Sequence, residues 1–380
     1  MKYKHLVETF IYEADARIQH AEDIVFWEGS AGAKRAIQAL KDMAGDQHKA
    51  VTIKWDGSPA IIFGRDEQGN FVFTDKSGFG KKGGVGRATS PDALRTELLG
   101  RSGGKDKDNP DRIAFAARMA GAFDAFEKAV PADYRGYFKG DMLYFDTPKV
   151  ENGHYVFTPQ LVTYEVDANS ELGKKIGNST AGIVVHREVD SEGTEGPLKD
   201  LSVFQGTDVL VFPPVTAQKP VKVDNSILDK LEAFVNKHSA GIDELFNEQA
   251  LRQLQLTDLS KIFYTYVNSK VDTSLQGLGE DFPQWLNSLP PTKISERKKA
   301  RILEYIQQHA QAYNAVWKTV TAIMKAKDFV IAQFDKQDTD VKQHIAGQSG
   351  GEGYVLAHPD GDIKLVPREF FSKANRAKGR

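Results

Sequence analysis

Apolar positions alternate with a period of two in the stretch from Val51, where Val51 and Ile53 fall on one face of an extended segment and Thr52 and Lys54 on the other. The polar turn Asp56-Gly57-Ser58-Pro59 interrupts the run, and residues 60–63 resume it as a second strand. Asp66-Glu67-Gln68-Gly69-Asn70 is a further turn, followed by the strand Phe71-Val72-Phe73. The period changes over residues 111–130, where Ile113, Phe115, Met119, Phe123, Phe126 and Val130 form the stripe of an amphipathic helix. Residues 137–145, 155–166 and 181–186 return to strand character. From Asp224 to about Lys336 the chain turns helical. Ile302, Tyr305, Ile306, His309, Tyr313, Val316, Trp317, Val320, Ile323, Met324, Val330 and Phe334 keep a three-and-four spacing too long for one helix, so a break is expected near Ala326-Lys327-Asp328.

After the glycine-rich hinge 347–351, Glu352-Gly353-Tyr354-Val355-Leu356-Ala357 reads as a strand, His358-Pro359-Asp360-Gly361 as a turn and Asp362-Ile363-Lys364-Leu365-Val366 as the antiparallel return. That turn sets Leu356 opposite Lys364, so Glu352, Tyr354, Leu356 and Lys364 are expected on one face. Residues 1–48 read as helical, with Ser30 a plausible N-cap for the stretch to Leu40. A helix start at Gly29-Ser30 could meet phosphate, but packing on the following sheet is the expected role.

Composition narrows the chemistry. The chain has 380 residues and no cysteine, which removes disulfides, thiol nucleophiles and cysteine-bound zinc. Its histidines show no His-x-x-x-His pair, so a metal, if used, is a hard cation on carboxylates and phosphates. No apolar run is long enough to span a bilayer, and the start lacks an apolar signal region, so no membrane partner and a cytoplasmic location (the host cytoplasm, if phage-encoded) are expected. The net charge is −2, so any nucleic-acid surface must be local. Two basic stretches qualify: the glycine-rich loop 75–87 with Lys76, Lys81, Lys82 and Arg87, and a helical face with Lys293, Arg297, Lys298, Lys299 and Arg301. The mixed-charge segment 100–108 reads as a flexible surface loop.

Lys54-Trp55-Asp56-Gly57, the strand Phe138-Lys139-Gly140-Asp141, the segment ending at Tyr164, and Glu352-Gly353-Tyr354-Val355-Leu356 followed by Lys364 come in an order that resembles the covalent nucleotidyltransferase superfamily of ATP-dependent polynucleotide ligases and capping enzymes. The overall pattern, closing on Phe371-Ser372 and Asn375, is similar to a ligase-like family of tailed phages. The resemblance covers residues 50–166 and 347–370. It implies an α+β fold: a nucleotidyltransferase core of antiparallel sheets with a large all-helical insertion. The divisions expected are an N-terminal cap (1–48), the first part of the core (49–223), the insertion (224–346) and a closing hairpin and tail (347–380).

The resemblance also implies roles. Lys54 would attack the α-phosphate of ATP and carry AMP as a phosphoramidate. Asp56 would orient Lys54 or assist the metal. Asp141 would engage the ribose and Tyr164 the purine, with Lys76 a further nucleotide contact. Glu352 would hold Mg2+ or Mn2+, and Lys364 the α-phosphate. Residues 181–186 imitate the acidic motif but lack its acid and read as a core strand.

Three departures stand out: Pro59 where an arginine is common, Val366 where a second lysine is common, and only 14 residues after Val366, too few for the oligonucleotide-binding barrel of DNA ligases. The implied function is ATP-dependent sealing of nucleic-acid ends or nicks, RNA favoured over DNA. The alternatives are a nucleotidyltransferase with a protein or small-molecule acceptor, and an inactive binding protein on the same fold.

Overall fold

The structure is a computed structural model that describes residues 19–104, 107–198, 200–270, 275–358 and 361–377. The expected helix around residues 5–11, Lys105 and Asp106 of the 100–108 segment, and Pro359-Asp360 of the last turn lie outside the described residues. The chain is mixed α+β with several antiparallel sheets. It divides into two compact units. One holds residues 1–54, 215–338 and 352–380, the other residues 55–214 and 339–351.

The first unit joins a four-stranded sheet to most of the helices. The sheet runs Gln19–His20, Ile363–Leu365, Tyr354–Leu356, Val51–Ile53, with only the first pair parallel. Val51, Ile53, Tyr354, Leu356, Ile363 and Leu365 are buried, so the period-two reading of Val51 and Ile53 holds and extends across three strands. Part of this buried face meets the long helix Ala310–Phe334: the Phe334 and Tyr354 rings lie 5.1 Å apart, and the Tyr354 hydroxyl donates to Asp335 Oδ1 at 2.9 Å.

The helices of residues 225–334 do not form a separate insertion module. They share a unit with the N-terminal segment and the closing hairpin, because Ile24–Asp42 packs along Asn225–Leu245 and Ala310–Phe334. Ile24–Asp42 is bent at Gly29 (φ 60°, ψ −136°), and the second segment starts at Ser30 as its composition predicts. The Asp243 carboxylate fills that start, accepting from the Ser30 backbone N–H at 2.7 Å and from its hydroxyl at 2.8 Å. A protein carboxylate therefore takes the position where phosphate was considered.

Two further expectations in this unit are corrected. The helix Ala310–Phe334 runs unbroken through Lys327, and the interruption comes earlier, at His309. The basic face at 293–301 is largely spent on the unit itself: Lys298 pairs with Asp258 at 2.6 Å. Lys299 is buried and donates to the Leu289 carbonyl at 2.5 Å, and Arg301 donates to the Leu254 carbonyl at 2.9 Å.

The second unit has two sheets. The larger runs Glu195–Pro197, Ala181–Val189, Gly136–Tyr144, Ala60–Arg65, Phe71–Asp75, with Val209–Val211 added in parallel to Ala181–Val189. One face packs on the helix Pro110–Ala129, whose Met119, Phe123 and Phe126 join Phe63, Phe73 and Phe138 in the core. Ile113 of the expected stripe is instead 37% exposed. Ala181–Val189 is a core strand, as expected. The smaller sheet runs Gln348–Ser349, Val341–Ile345, Thr163–Asp167, His154–Phe157, Lys149–Glu151. Residues 155–166 are thus two antiparallel strands, not one.

Residues 51–63 also differ from the simplest reading. Ala60–Arg65 pairs with Phe71–Asp75, as the second turn predicts, but Val51–Ile53 pairs with Tyr354–Leu356 in another sheet. The segment around Arg101 is no loose loop. Its guanidinium binds both oxygens of Asp75 at 2.5 and 2.7 Å, and Glu97 adds a third contact at 2.8 Å.

Candidate functional site

Lys54 lies one residue beyond the strand Val51–Ile53, in phase with Thr52 on the sheet face opposite the core. Its backbone N–H donates to the Gly353 carbonyl at 2.9 Å, so pairing with the Tyr354 strand continues through the lysine. Gly353 has φ 108°, and a Cβ there would come within 2.1 Å of the Leu365 carbonyl oxygen. Only glycine fits that close approach, which explains the glycine after Glu352. The neighbouring Glu352 carboxylate then meets Lys54 directly: Lys54 Nζ and Glu352 Oε1 form an ion pair, with side chains 23% and 16% exposed.

The register places Lys364 opposite Val355 and not opposite Leu356. The one-residue shift changes faces, so Lys364 leaves the side of Tyr354 and Leu356 and joins that of Thr52 and Lys54. With this register both lysines share the half-buried polar face. His20 completes the row across the sheet: His20 opposite Lys364, Lys364 opposite Val355, Val355 opposite Thr52.

Beneath the Gln19–His20 strand lies a charge network that the sequence reading missed. Glu22, Asp23, Lys327 and Arg368 are each 2% exposed or less. Lys327 Nζ reaches Glu22 Oε1 and Oε2 at 2.8 and 2.9 Å. Arg368 binds both oxygens of Asp23 at 2.8 and 2.9 Å and reaches Glu22 Oε1 at 3.2 Å. Asn268 Oδ1 accepts from the same guanidinium at 2.8 Å. Burial pushes Glu22 up, but the Lys327 and Arg368 charges outweigh it and hold Glu22 below the usual carboxylate range. Burial also pushes Asp23 up, and there the Arg368 charge, opposed by Glu22, does not fully offset it.

A legible signal for this network existed. Lys327 falls on the apolar stripe between Ile323 or Met324 and Val330 or Ile331, where a lysine is buried only if it is paired.

His20 faces Lys364 across the sheet. Burial, then the charges of Arg368, Lys327, Lys364 and Lys54, hold its imidazole well below the ordinary histidine range. The unfolded chain therefore takes up a proton that the folded chain refuses. Stability from this source is full above about pH 6.5 and is lost as the pH falls below it. Chemical denaturation at steps from pH 7.5 to 5.5 checks this, and His20→Asn should flatten that part of the profile.

The remaining candidates belong to the second unit. Asp56 is buried. Its Oδ2 accepts the backbone N–H groups of Leu161 and Val162 at 2.7 and 2.9 Å, and its own N–H donates to the Tyr164 hydroxyl at 2.6 Å. These bonds make Asp56 a brace for residues 161–164, and correct its assignment to metal binding or lysine orientation. Tyr164 is fully buried, with its ring 4.7 Å from Trp55 and stacked on Phe157 at 5.4 Å. A ring packed this way is core and not a purine platform, which corrects that expectation too. Asp56→Ala leaves two buried N–H groups without partners and should destabilise the chain by about 2–4 kcal/mol, measured by urea unfolding.

Asp141 stays partly exposed, and its Oδ2 meets His186 Nε2 at 2.9 Å. A Cβ on Gly57 would lie 2.7 Å from Asp141 Cβ, which explains the glycine of the Asp56-Gly57 pair. Lys76 is exposed at the start of the helix Lys76–Phe79. In the adjoining loop Lys81 pairs with Glu97 at 2.5 Å, and Arg87 lies 4.0 Å over the Phe79 ring. A concavity of about 400 Å³ on this unit is lined by Asp66, Val72, Tyr137 and Arg87 of the basic loop, and includes neither Lys76 nor Asp141.

Lys54, Lys364 and His20 thus share one sheet face, and Glu352 pairs with Lys54. The chain belongs to the family of unknown function DUF6267, whose model matches residues 15–88 and 107–379, and so spans both units. No curated protein and no solved structure matches it. Among the described residues, no group of three or more acidic or histidine side chains could hold a metal ion unaided, and no helix is long and apolar enough to cross a membrane.

Proposed function

We propose that the chain is a covalent nucleotidyltransferase with a ligase-type core that carries AMP on Lys54, its favoured acceptor being a polynucleotide end or nick. The observation that carries this reading is the pairing of Lys54 with Glu352 on the same sheet face as Lys364. Lys54 and Glu352, distant in sequence, meet there, and Lys364 lies on the face of Lys54, which supports lysine adenylylation. Lys54 Nζ attacks as a neutral amine, so its ammonium first passes one proton to the paired Glu352 carboxylate and on to water. The Nζ–P bond forms as the bond from the α-phosphorus to pyrophosphate breaks. Lys364 offsets the charge that grows on the phosphoryl oxygens.

One carboxylate is enough for the metal such a reaction uses, because Mg2+ takes much of its coordination from substrate phosphates and water. Glu352 is the residue that would hold it, and it would supply charge neutralisation at the phosphates. Asp141, steadied by His186, is the acid proposed for the ribose. ATP is the proposed donor, with RNA ends preferred over DNA.

A second reading concerns the acceptor. The basic face proposed for polynucleotide docking is engaged within its own unit through Lys298, Lys299 and Arg301. That favours keeping a protein or small-molecule acceptor in view. Incubation with α-labelled ATP and Mg2+ or Mn2+ should leave label on the denatured wild type, none on Lys54→Ala, and should be reversed by pyrophosphate. Nicked RNA, DNA and hybrids then test the acceptor. Discharge of label without sealing would select the second reading, and no label with ATP, GTP or NAD would leave only a binding role.

A further inference from the structure

We propose that His20 contacts phosphate in the Lys54 site, donating an imidazole N–H to a phosphate or pyrophosphate oxygen beside Lys364. The inference rests on the reading of that sheet face as a nucleotide site and adds a residue that neither the motifs nor the family assigns. Three observations carry it.

The first is register. His20 is directly opposite Lys364 on the neighbouring strand, and the Ala21 N–H donates to the Lys364 carbonyl at 3.2 Å, so backbone bonds hold the two side chains side by side. Directly opposed residues point to the same face. The second is its surroundings. Lys364 is its neighbour across the sheet, and the charges of Arg368, Lys327, Lys364 and Lys54 all act on its ring. An imidazole so placed remains neutral and adds a donor without a further charge. The third is an orphan atom: His20 Nδ1 is buried and has no hydrogen-bond partner among the described residues. Buried polar atoms in folded proteins are nearly always satisfied, by protein, water or ligand. For this atom to meet a ligand oxygen between the two lysines, the ring turns it out from its covered position to the polar face.

The test uses the full chain with His20→Ala and His20→Asn, the second retaining a side-chain N–H. Lysyl-nucleotide formation from labelled ATP should slow about 100-fold in His20→Ala, the low end of the range for removing one donor to a centre of developing charge, and recover to within about fivefold in His20→Asn. Binding of inorganic pyrophosphate with Mg2+, followed by calorimetry, should weaken about tenfold in His20→Ala and recover alike. Thermal unfolding of both variants checks that they fold. Wild-type rate and pyrophosphate affinity in His20→Ala would overturn the inference, as would an equal defect in two folded variants. If the wild type forms no adduct yet binds pyrophosphate in a His20-dependent way, the covalent reading fails and the phosphate contact stands.

Discussion

Lys327→Met is expected to destabilise the chain by about 3–5 kcal/mol, the usual cost of removing one partner from a buried ion pair. Lys327 and Glu22 are both fully buried, and the substitution leaves Glu22 with a 3.2 Å contact to Arg368 as its charged partner. Methionine has nearly the length and volume of the lysine stem, so a cavity contributes little and the lost charge dominates. Urea unfolding of Lys327→Met, Glu22→Gln and the double variant forms a double-mutant cycle. The double variant should recover much of the loss, because replacing both partners removes the uncompensated charge. Additive losses would mean that packing of the Lys327 stem, and not its charge, holds the helix against Ile24–Asp42.

The second large effect is kinetic. Lys364→Ala should slow formation of the Lys54 adduct about 10²–10³-fold, the range for removing one group that stabilises charge developing at a reacting centre. Its fold should suffer little, since Lys364 lies on the half-buried face while Ile363 and Leu365 carry the packing. Single-turnover labelling of the wild type and Lys364→Ala, with the melting temperature of each measured, checks this. A Lys364→Ala enzyme as fast as wild type would remove Lys364 from the site.

Much of the fold was readable because two periods were unambiguous. The alternation at Val51 and Ile53, the stripe of Pro110–Ala129 and the helical run to Phe334 each follow from local pattern. What failed was partnership, which local pattern does not encode. Asp56-Gly57-Ser58-Pro59 reads as a hairpin turn, yet the strands on either side pair in different sheets. A break is expected near Lys327 from the length of the run alone, and the counter-ion that buries this lysine, Glu22, is 305 residues away. Lys298, Lys299 and Arg301 read as a docking face because Asp258, the Leu289 carbonyl and the Leu254 carbonyl are invisible in the local pattern.

The candidate site was legible in the same measure. Lys54, Glu352 and Lys364 were identified by type and order, and their common face emerged only after a one-residue change in register. Asp56 and Tyr164 matched motifs by sequence, but side-chain burial gives them structural work. His20 and His186 were missed because each gains meaning from a residue opposite it across a sheet: Lys364 for His20 and Asp141 for His186. A short strand such as Gln19–His20 leaves almost no periodic trace.

Tandem mass spectrometry of the full chain after incubation with ATP and Mg2+ tests the central claim most directly. The account predicts one acid-labile adenylyl group, on Lys54, that disappears when pyrophosphate is added. A modified residue other than Lys54, or an unmodified chain under conditions in which it binds ATP, would contradict it.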